Sequence, residues 1–209
     1  MKKSIGIIDF GINNIKSLQK AFNKVEVKAE VVESYKKLQN FSHIVLPGVG
    51  SFDTGIENLK EMGFIEEIHK LVQKGNFILG ICLGMQLLFE ESKESLNNTP
   101  GLSLAKGKCE KLKIINNYEI RVPHIGWNSL KIKKKDVKLL KNIKDNSDFY
   151  FVHSYYVVPE NSDNITAVCN HGVEFAAVYE SNNIFGVQFH PEKCLKNGLN
   201  ILKQFSQFS

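Results

Sequence analysis

At 209 residues with 43% hydrophobic side chains, the chain is long enough to bury one sizeable core, and a single α/β domain over 1–209 is expected. Its 27 Lys and Arg against 22 Asp and Glu leave a net charge of +5, and Arg121 is the lone arginine, so the guanidinium forks that grip phosphates and read base edges are nearly absent and no nucleic-acid partner is expected. No stretch approaches the roughly 20 apolar residues of a membrane span, and Met1 to Asp9 is too short in apolar residues for a secretory signal, so a cytoplasmic protein off the membrane is expected, with its cysteines at 82, 109, 169 and 194 reduced.

From the N terminus, Ile5 to Asp9 reads as an apolar strand, Ile15 to Phe22 as a helix, and Val27 to Val32 and His43 to Leu46 as further strands. The last of these runs into Leu46-Pro47-Gly48-Val49-Gly50-Ser51-Phe52, whose two glycines around Val49 let the backbone turn an N–H toward a developing oxyanion. A phosphate cradle would also be glycine-rich, but no Lys-Ser/Thr follows and a P-loop is not supported. Helices are expected across Ile56 to Val72, then a strand at Phe77 to Ile81.

The strand ends in Gly80-Ile81-Cys82-Leu83-Gly84-Met85-Gln86, and helix formers follow from Met85 to Glu91. A nucleophile between two glycines at a strand-to-helix turn is a nucleophile elbow. The glycines are needed because the reversal brings backbones too close for a Cβ, and the turn pushes the side chain outward. Cys82 then sits at a helix N-terminus, where unpaired N–H groups favour the reactive thiolate. The Leu83 N–H supplies a second oxyanion donor beside that of Val49. A small buried apolar cysteine is the plainer alternative, and the elbow argues against it.

Lys93 to Pro100, rich in Ser and Asn, reads as an exposed loop, and Leu104 to Leu130 as short strand-like pieces. Lys131 to Lys135, with Lys138, Lys141 and Lys144, reads as a solvated basic face. Ser147 to Val158, Ile165 to Val168, Phe175 to Tyr179 and Ile184 to Phe189 read as strands that extend the sheet antiparallel, and Leu199 to Phe205 as a closing helix. The fold class expected is therefore α/β, a mostly parallel central sheet flanked by helices with an antiparallel extension.

The last strand ends at His190-Pro191-Glu192. In extended backbone, held by Pro191, His190 and Glu192 point the same way, so the carboxylate holds one imidazole nitrogen while the other faces the thiol. Val49, Cys82 and His190 each follow a predicted strand, where reactive groups of α/β sheets gather. Of the other histidines, His43 and His69 read as structural or exposed and His171 as solvated, while His124 and His153 lie beside functional motifs. Trp127 reads as core or interface.

Pro47-Gly-Val-Gly50, Gly80 to Gln86, Val122-Pro-His-Ile-Gly-Trp-Asn128, His153-Ser-Tyr-Tyr156 and Phe189-His-Pro-Glu-Lys193 together resemble, in order and over essentially the whole chain, the class I (triad) glutamine amidotransferases, and within them the glutaminase subunits of imidazole glycerol phosphate synthase. The chain departs from the pattern at Gly11-Ile-Asn-Asn14, where G-x-G-N is usual, and at Cys194, where serine is usual; both are expected near a partner-facing surface. The resemblance implies a flavodoxin-like sheet, a Cys82-His190-Glu192 triad, and a glutamine pocket lined by Gly50, Gln86, Ser154 and Tyr155. It implies no metal and no organic cofactor. Free ammonia is lost to water, so it also implies a heterodimer with a (β/α)8-barrel cyclase that makes imidazole glycerol phosphate and AICAR in histidine biosynthesis. Asn14, Trp127, Tyr155 and Lys193 would be contact or gating positions. Paralogues that feed a synthetase of acetamidino surface sugars, a thiol hydrolase or peptidase of the same superfamily, and an inactive binding subunit are the alternatives.

Overall fold

The parallel half of the molecule follows from its apolar runs. A computed structural model of the chain describes residues 4–11, 14–113 and 121–209, so Ile12, Asn13 and part of the expected Leu104 to Leu130 strand region lie outside the described residues. In chain order the first elements are β1 (Ile5–Ile8), α1 (Ile15–Lys24), β2 (Ala29–Val32), α2 (Tyr35–Leu38), β3 (His43–Leu46), α3 (Phe52–Glu61), α4 (Phe64–Gln73), β4 (Phe77–Ile81) and α5 (Leu83–Leu87). There follow β5 (Glu91–Ser92), β6 (Gly107–Lys111), β7 (His124–Ser129), β8 (Lys131–Ile132), β9 (Asp148–His153), β10 (Tyr155–Pro159), β11 (Ile165–Asn170), β12 (Glu174–Ser181), β13 (Ile184–Val187) and α6 (Leu195–Phe205).

The main sheet has the order β2-β1-β3-β4-β13-β12-β11-β8. Its first five strands are parallel and the remaining pairings antiparallel. All four residues of β1 and of β3 are buried, as strands covered on both faces must be. Their side chains divide by the period of two: Ile5 and Ile7 enter the apolar cluster with α1 and α6, while Ile8 enters the one with α3 and α4. The register places Leu46 of β3 beside Gly80 of β4, and Ile81 beside Val187 of β13, so three adjacent strands release their chains at one edge.

Two expectations are corrected. The antiparallel extension holds β12, β11 and β8, but the stretch from 147 to 158 does not join it: it divides at Ser154 into β9, paired with β7, and β10, paired with β6. The helices expected across Ile56 to Val72 are α3 and α4, separated where Gly63 at φ 73 takes a left-handed conformation that ends α3. The helix after the elbow stops at Leu87, and Glu91 already pairs with Lys108 in a small sheet.

Candidate active site

Cys82 has φ 54 and ψ −110, a backbone state that a residue with a Cβ holds only when its surroundings enforce it. They do so on both sides. A Cβ on Gly80 would lie 2.6 Å from the Gly84 carbonyl oxygen, and one on Gly84 would lie 1.8 Å from that of Leu46. The first glycine lets strand and helix meet, as expected; the second admits the end of β3, which aligned apolar runs do not reveal. The Cys82 N–H donates to the Val187 carbonyl at 2.8 Å, locking the elbow onto β13. Cys82 is 5% exposed, and its sulfur lies 3.6 Å from the Val152 carbonyl and accepts from Gln188 Nε2 at 3.7 Å.

His190 enters from the end of β13. Its N–H donates to the Tyr150 carbonyl at 2.9 Å, and its Nδ1 donates to Glu192 Oε1 at 2.9 Å. The extended geometry expected through Pro191 is not what makes this pair. Pro191–Lys193 is a 3-10 turn, since the fixed φ of proline suits the first position of a helical turn as well as extended chain, and Glu192 curls back to the imidazole. Burial alone would favour the neutral ring, but hydrogen bonding and electrostatic attraction to Cys82 and Glu192 outweigh it and push the imidazole up to about 10. The Cys82 sulfur and the Glu192 carboxylate both favour the protonated ring.

Two residues expected near the partner surface contact this pair. The Asn14 side-chain amide donates to Glu192 Oε1, and Asn14 holds φ 141 to do so. Glu192 Oε2 is buried with no hydrogen-bond partner among the described residues. Cys194 is 2% exposed; its sulfur accepts from the Tyr150 N–H at 3.1 Å and donates to the His190 carbonyl at 2.9 Å, so it fixes the histidine backbone to β9. Burial pushes the thiols of Cys169 and Cys194 up to about 12, and that of Cys109 up as well, which marks them as inert.

A cavity of about 310 Å³ opens over Cys82 and His190, and Gly50, Gln86, Ser154 and Tyr155 line it with Val49 and Lys193. Gln86 Nε2 donates to the Tyr155 carbonyl at 2.9 Å and to Gln188 Oε1 at 3.2 Å. The expected oxyanion donors are not both free here: the Leu83 N–H donates to the Gly48 carbonyl at 3.3 Å, which sets an acceptor where a donor is needed. Glu94, within the stretch read as an exposed loop, also lines the cavity; its carboxylate accepts from the Phe52 N–H at 2.9 Å, and burial raises it. Only the short pairing of Glu91–Ser92 with β6 turns it inward, and no apolar pattern signals that.

His153 is buried in the cavity wall, and His124 is buried against it. His153 Nδ1 donates to the Tyr155 carbonyl at 2.9 Å, so its Nε2 accepts from His124 Nδ1 at 3.1 Å. Burial lowers both rings, to about 3 and about 4, and the pair is neutral. His171, expected in solvent, stacks on His124 at 4.0 Å and donates to the Arg121 carbonyl at 2.8 Å. His43 is buried in the core against Phe77. Trp127 is 51% exposed and packs edge-on to Tyr150, while Lys193 Nζ lies 5.2 Å from the same ring. With Ile125, 61% exposed, they leave an apolar rim beside the cavity mouth. Among the described residues no group of three or more His, Cys, Asp or Glu could hold a metal ion, and no helix is long and apolar enough to cross a membrane.

Comparison with known proteins agrees with this geometry. The family model "Glutamine amidotransferase class-I" matches residues 6–207. The chain is 46% identical to imidazole glycerol phosphate synthase subunit HisH of Caldanaerobacter subterraneus subsp. tengcongensis, covering 97% of both chains, and 41% identical to the Bacillus subtilis protein of that name, covering 98% of this chain and 96% of the relative. Its fold is similar to that of PurLQS from Thermotoga maritima, with a TM-score of 0.73, 19% identity and 98% of each chain covered.

Proposed function

This chain belongs to the class-I glutamine amidotransferase family, and from that premise we propose that Cys82, His190 and Glu192 hydrolyse glutamine to glutamate and ammonia within the single domain 1–209. It is the glutaminase subunit of an imidazole glycerol phosphate synthase, working in histidine biosynthesis. Relatives 46%, 39% and 42% identical over nearly the whole chain share that subunit name, which disfavours the acetamidino-sugar branch. The observation that carries the chemistry is the strained Cys82 elbow beside the buried His190–Glu192 pair.

Sulfur attacks the glutamine side-chain carbonyl carbon and forms a tetrahedral oxyanion. His190 gives its proton to the nitrogen, the C–N bond breaks, and ammonia leaves a glutamyl thioester. His190 then takes a proton from water as it attacks, and the departing sulfur takes back the negative charge as glutamate forms. Glu192 keeps the imidazole oriented throughout. Gln86 offers its side-chain oxygen, and Ser154 and Tyr155 the wall, to the substrate. Among the described residues Glu94 is the one carboxylate lining the cavity, and it meets the substrate ammonium. For the Val49 N–H to meet the oxyanion the Gly48 carbonyl must first turn away from Leu83, and partner binding supplies that turn.

The partner is a (β/α)8-barrel cyclase that docks on the rim of Ile125, Trp127 and Lys193 and receives ammonia before water protonates it. The reaction needs no cofactor, and the heterodimer works in the cytoplasm. Glutamate release from glutamine, with and without that barrel, tests the reading. Stimulation by the barrel that is lost in Cys82→Ala is expected; release that survives in Cys82→Ala would overturn the triad assignment, and no release under any pairing would overturn the enzyme reading.

A further inference from the structure

Gln188 lies two residues before His190, and its side chain is wholly buried. Its backbone N–H donates to the Ala177 carbonyl at 3.0 Å, which needs no amide side chain. Burying that amide is costly unless its groups are paired. The pairing runs one way only. The Tyr155 carbonyl can only accept, so the nitrogen of Gln86 faces it at 2.9 Å. That same nitrogen donates to Gln188 Oε1 at 3.2 Å. The oxygen end of Gln188 is thereby committed, and its NH₂ end is the one presented to the Cys82 sulfur at 3.7 Å. A backbone carbonyl thus sets, through two amides, the polarity of a donor on the nucleophile.

We propose that Gln188 is a further catalytic residue, whose amide nitrogen holds the Cys82 sulfur and stabilises its negative charge both before attack and when the thioester breaks. A donor strengthens as its acceptor gains charge, so the bond is weakest to the thioester and strongest to the thiolate. His190 is engaged with water in the second step, so the Gln188 amide is the donor that stays on the sulfur through both steps. Gln86, which touches substrate, orients Gln188 and so links an occupied pocket to the sulfur.

The inference rests on the glutaminase reading for turnover but not for reactivity of the thiol, and the two can be measured apart. Iodoacetamide alkylation of Cys82 in the full chain is followed against pH, with Cys82→Ala as the blank. Gln188→Leu removes the donor and Gln188→Glu replaces it with a charge. Both should move the alkylation midpoint to higher pH, by about one unit for Gln188→Leu and further for Gln188→Glu. With the barrel partner present, kcat for glutamine should fall about tenfold or more while KM stays within about twofold. An unchanged alkylation profile in folded variants would overturn the proposal even if turnover fell. Loss of turnover together with an unmoved KM and a moved profile supports it; a moved profile in a chain with no glutaminase activity would keep the sulfur contact and overturn the glutaminase reading instead. Should neither variant fold, the side-chain amide NMR signal of Gln188 in the unmodified chain decides: it shifts as the thiol titrates and not in Cys82→Ala, or it stays still and the proposal fails.

Discussion

The side-chain amide of Asn14 donates to Glu192 Oε1, the oxygen that also accepts from His190. The N-terminal end of α1 thus steadies the carboxylate that steadies the base. Asn14→Ala should lower kcat about tenfold, because Glu192 loses the donor that fixes its rotamer and its buried charge is less satisfied. Asn14→Asp should lose more, about a hundredfold, since a second carboxylate then faces the first. Steady-state glutamate release checks both, and equal activity of the two variants would contradict the arrangement.

Gly84→Ala should destabilise the fold by about 3 kcal/mol or more, because the added Cβ meets the Leu46 carbonyl oxygen at 1.8 Å, backbone against backbone. Gly50→Ala meets nothing within 4 Å and is strained only by its φ of 117, so about 1–2 kcal/mol is expected. Urea unfolding of the two variants gives the ordering.

The neutral histidines make stability fall in acid. His153 is held down to about 3, well below the 6.5 of an exposed ring, so between those values the unfolded chain binds a proton that the folded one refuses. The His153 share of stability is therefore fully present above pH 6.5 and is lost as pH falls toward 3, with a slope of at most about 1.4 kcal/mol per pH unit. His124, lowered to about 4, adds to the same window. In His153→Phe, denaturation midpoints measured from pH 7 to pH 4.5 should show a shallower fall than in the unmodified chain.

Ile125 and Trp127 stand out at 61% and 51% exposure on β7, and among the described residues Trp127 meets the edge of the Tyr150 ring. Ile125→Ala and Trp127→Ala should each weaken binding of the barrel partner at least tenfold while leaving the thermal midpoint of the free chain within a degree or two. Titration calorimetry measures the first, and an unaltered affinity would move the docking surface elsewhere.

The elbow was legible because its constraint is local: Gly80, Cys82 and Gly84 share one turn, and the strand and helix on either side have distinct periods. His190 and Glu192 were legible as a pair, but the turn at Pro191 was not, because proline at that φ suits both extended and helical continuations. Glu94, Gln188 and Asn14 reach the site only through long-range packing. Nothing in a Ser- and Asn-rich stretch tells that Glu91–Ser92 will pair with β6, and nothing around Asn14 tells that its amide will meet a residue at the other end of the chain. The two small sheets were missed for a similar reason: β9 and β10 have the alternation of any half-buried strand, and alternation does not say which neighbour a strand takes.

The central claim is that Cys82 carries the acyl group of glutamine. Acid quenching during turnover with the barrel partner, followed by peptide mass spectrometry, tests it directly. A glutamyl thioester on the Cys82 peptide, absent from Cys82→Ala and diminished in His190→Ala, is the result the account predicts. Glutamine turnover with that peptide unmodified, and continuing in Cys82→Ala, would contradict it.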